Sequence, residues 1–404
     1  MSDIVALDMF LHDRRIGRIA RLEGDRSIFT FDDDYLADQD RPTLSLAYRD
    51  EYGGIINDPR AYQTKLEPFF SNLLPEGVLR DYLAKRAGLK AVREFPLLSQ
   101  LGDDLPGAVR AVPVESAAVA DDEAGKAAVA DIAKQALRFS LAGVQLKFSG
   151  LKRHGKNGGL TIPASGTGGD WIVKLPSARH ADVPENEFAS MSLAARLGID
   201  VPEIDLIGID TIEGLPEGLD RYGASAFAIR RFDRSEAGAI HVEDFAQVYG
   251  VYPDDKYDNA SYRSILTVLA AETDDTSIIE SVRRLTYSVL IGNGEMHLKN
   301  WSLIYPDRKR PILSPAYDLL STMPYIPDDE SALKFLRARA WDSFTYDELV
   351  AIADKARVAS PMIVSAAKET VERFDDLWLT AKAELPFSDA VASAIERHRK
   401  TLAV

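Results

Sequence analysis

The hydrophobic pattern of this chain changes character near residue 240, and that change limits the folds open to it. Before it, short apolar runs alternate with tight turns. IVALDMFL, RIGRIARL and SIFTFDD fill most of the first 35 residues. Asp13, Arg14 and Arg15 mark one turn, and Glu23, Gly24 and Asp25 mark the next. This is the pattern of antiparallel strands. Residues 68–110 read as helical, with PFFSNLLPEGVLRDYLAKRAGL as an amphipathic stretch ending in a Gly. Residues 111–133, Ala-rich and acidic, read as a connector. FSLAGVQLKFSG, WIVKLPS and ASAFAIRRFD return to strand character, and the Gly- and Lys-rich GLKRHGKNGGLTIPASGTGGD reads as a loop between the first two. ENEFASMSLAARLGI has helical spacing. From about 241 onward the pattern is mostly helical, over 261–292, 345–357, 360–383 and 388–402. The expected class is α+β, a small β-rich lobe followed by a larger helical one.

Composition removes several function classes. No apolar run reaches the roughly 18 residues a membrane span needs. MSDIVALDMFLHDRR lacks the ordered basic start, apolar core and cleavage site of a signal peptide. The chain has no Cys, hence no thiolate metal site and no Cys nucleophile, which fits the cytoplasm. A net charge of −15 repels nucleic acid as a whole and favours a basic protein partner.

The stretch IGNGEMHLKNWSLIY, 291–305, concentrates reactive groups between apolar segments. An ATP-dependent phosphoryl transferase needs a cover over the phosphates and a strand Lys held by a helix Glu. It also needs a carboxylate for the acceptor's proton, and an Asn and an Asp for magnesium. Candidates occur in that order. Ser140-Leu-Ala-Gly-Val-Gln-Leu-Lys147 has a small-residue turn at Ala142 and Gly143, next to Val144 and Gln145, whose backbone could approach phosphate oxygens. An ordinary hairpin turn explains it equally well. Lys174 lies inside the apolar WIVKLP run, costly to bury without an anionic partner. Glu187, early in the next helix, is the partner candidate, although a Glu there is also good helix chemistry. Phe227–Arg234 is a hinge candidate, or simply a strand end. Backbone groups there could read an adenine edge, and Asp233 could reach a ribose.

Gly292 and Gly294 break the preceding helix, and Glu295 and Asn300 follow five positions apart in a loop leading to WSLIY. The loop can hold a proton acceptor and a magnesium ligand, or can be a polar turn. His297 reads as a ligand or base, or as a residue whose hydrogen bonds hold the loop shape. Lys299 is a further candidate for contact with the cofactor. A hairpin through PDRKRP would return Asp318 beside Asn300, and their oxygens suit Mg²⁺.

Together SLAGVQLKFS, WIVKLPS, RRFDR, NGEMHLKNWSLI and LSPAYDLL resemble the HipA family of serine/threonine protein kinases, the toxin halves of bacterial toxin–antitoxin pairs. FFSNLLPEG and LLSQLGDDLPGAVRAVP resemble that family's N-terminal subdomain, so the resemblance covers nearly the whole chain. It implies a two-lobed protein-kinase-like fold: a HipA-like N-terminal subdomain (1–110), a connector (111–133), a β-rich N-lobe (134–235) and an all-α C-lobe (236–404). It implies ATP and Mg²⁺, an aminoacyl-tRNA synthetase as target, and a DNA-binding, HipB-like antitoxin that supplies the operator contacts. It makes Lys174 the phosphate lysine and Asn300 and Asp318 the magnesium ligands. The backbone from Arg230 to Phe232 then holds adenine, with Asp233 near the ribose. Ser140 matches a Ser whose autophosphorylation ejects the phosphate loop, adding about two negative charges where ATP's phosphates must sit.

One position departs from the family. Its proton acceptor is Asp, five residues before the Asn, and Glu295 stands there. A misplacement of about 1 Å can cost on the order of a hundredfold in rate. Three readings stay open: a working Glu295 with adjusted backbone, a slow kinase, or a nucleotide-binding pseudokinase acting as an antitoxin-bound corepressor. A small-molecule or lipid kinase on the same fold is a further alternative.

Overall fold

The structure, a computed structural model, describes residues 4–86, 88–115, 147–152, 160–161, 169–213, 215 and 220–404. The N-terminal subdomain is a five-stranded antiparallel sheet. Its spatial order is Ala61–Gln63, Arg26–Phe31, Arg14–Leu22, Ile4–Leu11, Val109–Glu115. Side chains alternate across a strand, so Leu7, Met9 and Leu11 fall on one face with Ile19 and Phe29. Phe69, Phe70, Leu97 and Leu98, from the helices Pro68–Ser71 and Glu94–Leu101, close this core. Each such side chain contributes about 1.5–3 kcal/mol by leaving water. The closing strand Val109–Glu115 takes the first residues assigned to the connector. Its register against Ile4–Leu11, with Ala111 opposite Met9, explains why.

The N-lobe sheet runs Ile212–Glu213, Leu160–Thr161, Lys147–Lys152, Trp171–Lys174, Ser225–Arg230, Ile204–Gly208. Period two sorts its side chains. Val173, Ala226 and Ala228 join Leu160 and Trp171 in one core, while Phe227 and Ile229 face Met191 and Leu193 of the helix Val183–Arg196. Lys174 pairs with Phe227 across the ladder, so it shares the helix-covered face. That helix ends at Gly198, φ +86°, where Gly198 and Ile199 N–H groups donate to the carbonyls of Ala195 and Ala194.

The C-lobe is built on helices Tyr262–Glu272, Asp275–Ile291, Tyr346–Ala356, Ser360–Glu384 and Asp389–Arg399. Asp275–Ile291 is buried almost all round over its last three turns, the mark of a central helix. The lobe is not wholly α. His241–Asp244, Ser302–Tyr305 and Ile312–Leu313 form a small antiparallel sheet. Ser302–Tyr305 is buried at every position, so a strand paired on both edges satisfies its backbone where a loop would not.

The N-terminal subdomain is fastened to both lobes by buried polar groups. Glu243 accepts from the Ser45 and Tyr305 hydroxyls and, at 3.1 Å, from the Leu46 N–H. Asp104 accepts from Arg231 at 2.8 Å and Arg234 at 3.0 Å. No helix among the described residues is long and apolar enough to cross a membrane.

Candidate active site

Lys174 is the centre of the site. It is 4 % exposed, and its ammonium touches the carboxylates of Glu187 and Asp318 at once. The ladder aims it at the helix, and Glu187, one turn into that helix and 1 % exposed, meets it. Burial alone would drive the lysine neutral. Asp318 and Glu187 overcome that effect and hold its pKa above the ordinary lysine value. Burial raises the Glu187 carboxyl, with Lys174 acting against it. Burial would raise Asp318 too, but Lys147 and Lys174 together hold it well below the usual carboxylate range. Lys147 reaches the other Asp318 oxygen at 3.6 Å.

Asp318 sits at φ +55°, a left-handed conformation that Asp tolerates better than most residues. Hydrogen bonds tie this strained segment to the catalytic-loop candidate. Asn293 Nδ2 donates to the Asp318 carbonyl at 3.2 Å, and the Tyr317 hydroxyl donates to the Lys299 carbonyl at 2.9 Å. The hairpin Ser302–Leu313 thus returns Asp318 to the loop 293–300. Gly294 is needed there: a Cβ on it would lie 1.9 Å from an Asp329 carboxylate oxygen.

Within the loop, Asn300 Nδ2 donates to the Glu295 carbonyl at 2.8 Å. That bond uses the carboxamide nitrogen and leaves the oxygen as a ligand atom. The Glu295 carboxylate is 43 % exposed and accepts a 2.7 Å hydrogen bond from the Tyr257 hydroxyl. A hard, carboxylate-plus-carboxamide oxygen pair fits Mg²⁺, which takes one or two protein ligands and completes its shell with water and phosphate. No cluster of three or more His, Cys, Asp or Glu among the described residues offers a full protein cage.

His297 does not hold the loop through its ring. Nδ1 is buried without a hydrogen bond, and Nε2 stands 3.8 Å from Glu295 Oε2. Its backbone does that work, donating to the Glu295 carbonyl at 2.7 Å and accepting from Asn300 N–H at 2.9 Å. Burial, helped by Lys256, pushes the imidazole down to about 3, so it is neutral at pH 7.

Three other candidates have contacts of their own in the fold. Lys299 is a strut: its ammonium donates to Asp244 at 2.9 Å and to the Asn72 carbonyl and carboxamide oxygens at 3.0 Å. Asp233 faces the N-terminal subdomain. It accepts from Arg231, Arg234 and, at 2.8 Å, the Gly107 N–H, which leaves both oxygens committed. The Arg230 and Arg231 N–H groups are spent on the carbonyls of Glu203 and Asp170. Phe232 is half-buried, its ring 5.7 Å from that of Tyr317. Ser140, Ala142, Gly143, Val144 and Gln145 lie outside the described residues. Tyr257 is the residue the sequence pattern did not mark. It lies 38 positions before Glu295, and only the tertiary fold joins them.

Family models match both ends of this arrangement: the HipA N-terminal domain over residues 7–112 and the HipA-like C-terminal domain over 139–378. "Putative kinase Y4dM" of Sinorhizobium fredii is 52% identical over 404 residues, covering 100% of this chain and 98% of its own. The serine/threonine-protein kinase toxin HipA of Shewanella oneidensis is 25% identical, covering 98% of this chain and 94% of that protein. The solved complex of HipA, HipB and operator DNA from Shewanella oneidensis MR-1 contains a chain with the same fold. Its TM-score is 0.72 at 21% identity, over 98% of this chain and 95% of that one. With both family domains matched in order, and with a strand lysine, a helix glutamate and a loop aspartate in contact, this chain belongs to the HipA family of toxin kinases.

Proposed function

We propose that this chain is an ATP- and Mg²⁺-dependent protein serine/threonine kinase, the toxin of a toxin–antitoxin pair. The observation that carries this reading is the contact of one buried ammonium, Lys174, with both Glu187 and Asp318. A structural ion pair needs one carboxylate. A second carboxylate on a strained loop residue is what a phosphate- and metal-binding centre requires.

In this reading Asn300 and Asp318 hold the metal through oxygen, and Lys174 and Lys147 hold the phosphates. Bound ATP supplies the phosphoryl group, and Mg²⁺ neutralises the charge that builds between its phosphates. Glu295 takes the proton of the acceptor hydroxyl as that oxygen bonds to the terminal phosphorus and the bond to the ADP oxygen breaks. Tyr257 positions Glu295 for this step, and His297, neutral, competes for no phosphate. Phe232 offers apolar surface to the base. Ser140 is the autophosphorylation site through which the toxin inactivates itself.

The protein target is an aminoacyl-tRNA synthetase, as the family resemblance implies. The partner is a HipB-like antitoxin that contacts operator DNA, by analogy with the Shewanella complex and in keeping with the −15 charge of this chain. The second reading, a nucleotide-binding corepressor without transfer, draws on Glu295 standing where the family has Asp. The Tyr257–Glu295 bond argues against it, because a disused carboxylate needs no dedicated donor. Intact-mass measurement with ATP and Mg²⁺ separates the two: mass added in units of one phosphate supports the kinase, and ATP binding with no added mass supports the corepressor.

A further inference from the structure

A second concavity lies apart from the Lys174 cluster, where the N-terminal subdomain meets the C-lobe. Its volume is about 210 Å³. That is room for several waters, and so for a ligand of small-amine or amino-acid size. The wall is aromatic and continuous. The Phe31 and Tyr48 rings meet edge-on at 5.2 Å, and Tyr48 and Phe69 lie 5.9 Å apart. Gln247, from the C-lobe side, is already committed, donating to the Phe69 carbonyl at 3.1 Å and accepting from the Asp244 N–H at 2.9 Å.

One ionisable group in this wall, the half-buried Glu67 carboxylate, has no ion pair among the described residues. Burial raises it to about 7, against the pull of Tyr48 and Arg60. The Tyr48 hydroxyl is enclosed beside it and forms no well-aligned hydrogen bond. Arg60, the cation of the rim, is held by Asp58 at 2.6 Å. A partly buried carboxylate with no ion pair of its own, beside an arginine already paired with Asp58, is costly. Aromatic faces carry negative potential and attract organic cations. An anion would meet Glu67 and Asp58, and a neutral apolar ligand would deepen the desolvation of Glu67.

We propose that this pocket binds an organic ammonium group, its charge against Glu67 and its carbons against Phe31, Tyr48 and Phe69. A free small amine and a lysine side chain on a polypeptide share this chemistry. The site is independent of phosphoryl transfer, so its failure leaves the kinase reading intact.

The test is calorimetric titration of the full chain at pH 8 with choline and with 3,3-dimethyl-1-butanol, its neutral carbon isostere. The expected result is saturable choline binding at least tenfold tighter than the isostere. Glu67→Gln, checked for native circular dichroism, should weaken choline at least tenfold. Ile56→Trp, which adds bulk to the pocket lining and keeps Glu67, should abolish binding. A blocked peptide with one internal lysine, against the same peptide with norleucine, separates the sources: preference for the lysine peptide over choline assigns a polypeptide ligand, the reverse a free amine. The proposal is overturned if neither choline nor the lysine peptide binds, if the isostere binds as well as choline, or if both variants bind choline unchanged.

Discussion

The Tyr257 hydroxyl donates a 2.7 Å hydrogen bond to Glu295 Oε2, and the same ring meets His297 edge-on at 5.1 Å. Burial and Glu295 raise the phenol's pKa, so Tyr257 remains a donor across the physiological range. The fixed donor suits the longer side chain, since an Asp at 295 would fall a methylene short of it. Tyr257→Phe is expected to lower kcat about tenfold to a hundredfold through misplacement of Glu295. In a Glu295→Asp background it should change little. A double-mutant cycle on phosphate transfer reads this coupling. Equal effects in both backgrounds would remove Tyr257 from the mechanism.

Lys174→Ala leaves Glu187, 1 % exposed, as an uncompensated buried charge. Breaking such a pair costs about 3–5 kcal/mol, so this variant should lose stability as well as transfer. Lys174→Met with Glu187→Leu removes the buried pair and leaves Asp318 with Lys147; it should regain part of the stability in urea unfolding while transferring no phosphate. Restored transfer would show that the pair serves structure alone.

Asp233 gives a test between the ribose role drawn from sequence and the strut role of the fold. Asp233→Asn weakens contacts to Arg231, Arg234 and the Gly107 N–H. Hydrogen bonds to charged groups are worth about 1.5–3 kcal/mol each, so stability should fall measurably. Nucleotide affinity, read by calorimetry, should change less than about threefold, below 1 kcal/mol. A collapse of affinity at unchanged stability would return Asp233 to the nucleotide site.

Glu243 sets a pH dependence. Burial raises its carboxyl to about 7, partly offset by the hydroxyls of Ser45 and Tyr305 and the Leu46 N–H. Between the unfolded value of 4.5 and about 7 the folded chain therefore holds the extra proton. Stability falls as pH rises through that window. The contribution is on the order of 3 kcal/mol, from one unit being worth about 1.4 kcal/mol. Glu243→Gln should flatten the decline between pH 5 and 8 in urea unfolding. An unchanged slope would exclude Glu243 as its source.

The contact of Lys174 with Glu187 was legible because its chemistry is local. Lys174 in an apolar strand and Glu187 early in the following helix are separated by one short connection, so period two and period 3.6 place both. Asn300 and Asp318 are joined by a hairpin readable as strand, turn, strand. Contacts across the subdomain boundary were not legible. Asp233 and Lys299 carry the right chemistry for a nucleotide, yet Arg231, Gly107 and Asn72 claim them, and no local pattern records a partner 126 or 227 positions away. His241–Asp244 was missed for the same reason, since it becomes a strand only through its pairing with Ser302–Tyr305.

Kinase function here rests on Glu295 supporting transfer from the Lys174–Asp318 centre. The most direct measurement is peptide-mapped intact mass of the purified chain after incubation with ATP and Mg²⁺, beside Asp318→Ala. One added phosphate on Ser140 is expected in the unaltered chain and none in Asp318→Ala. An unaltered chain that binds ATP and gains no phosphate, while Glu295→Asp gains it, would show that Glu295 does not support transfer.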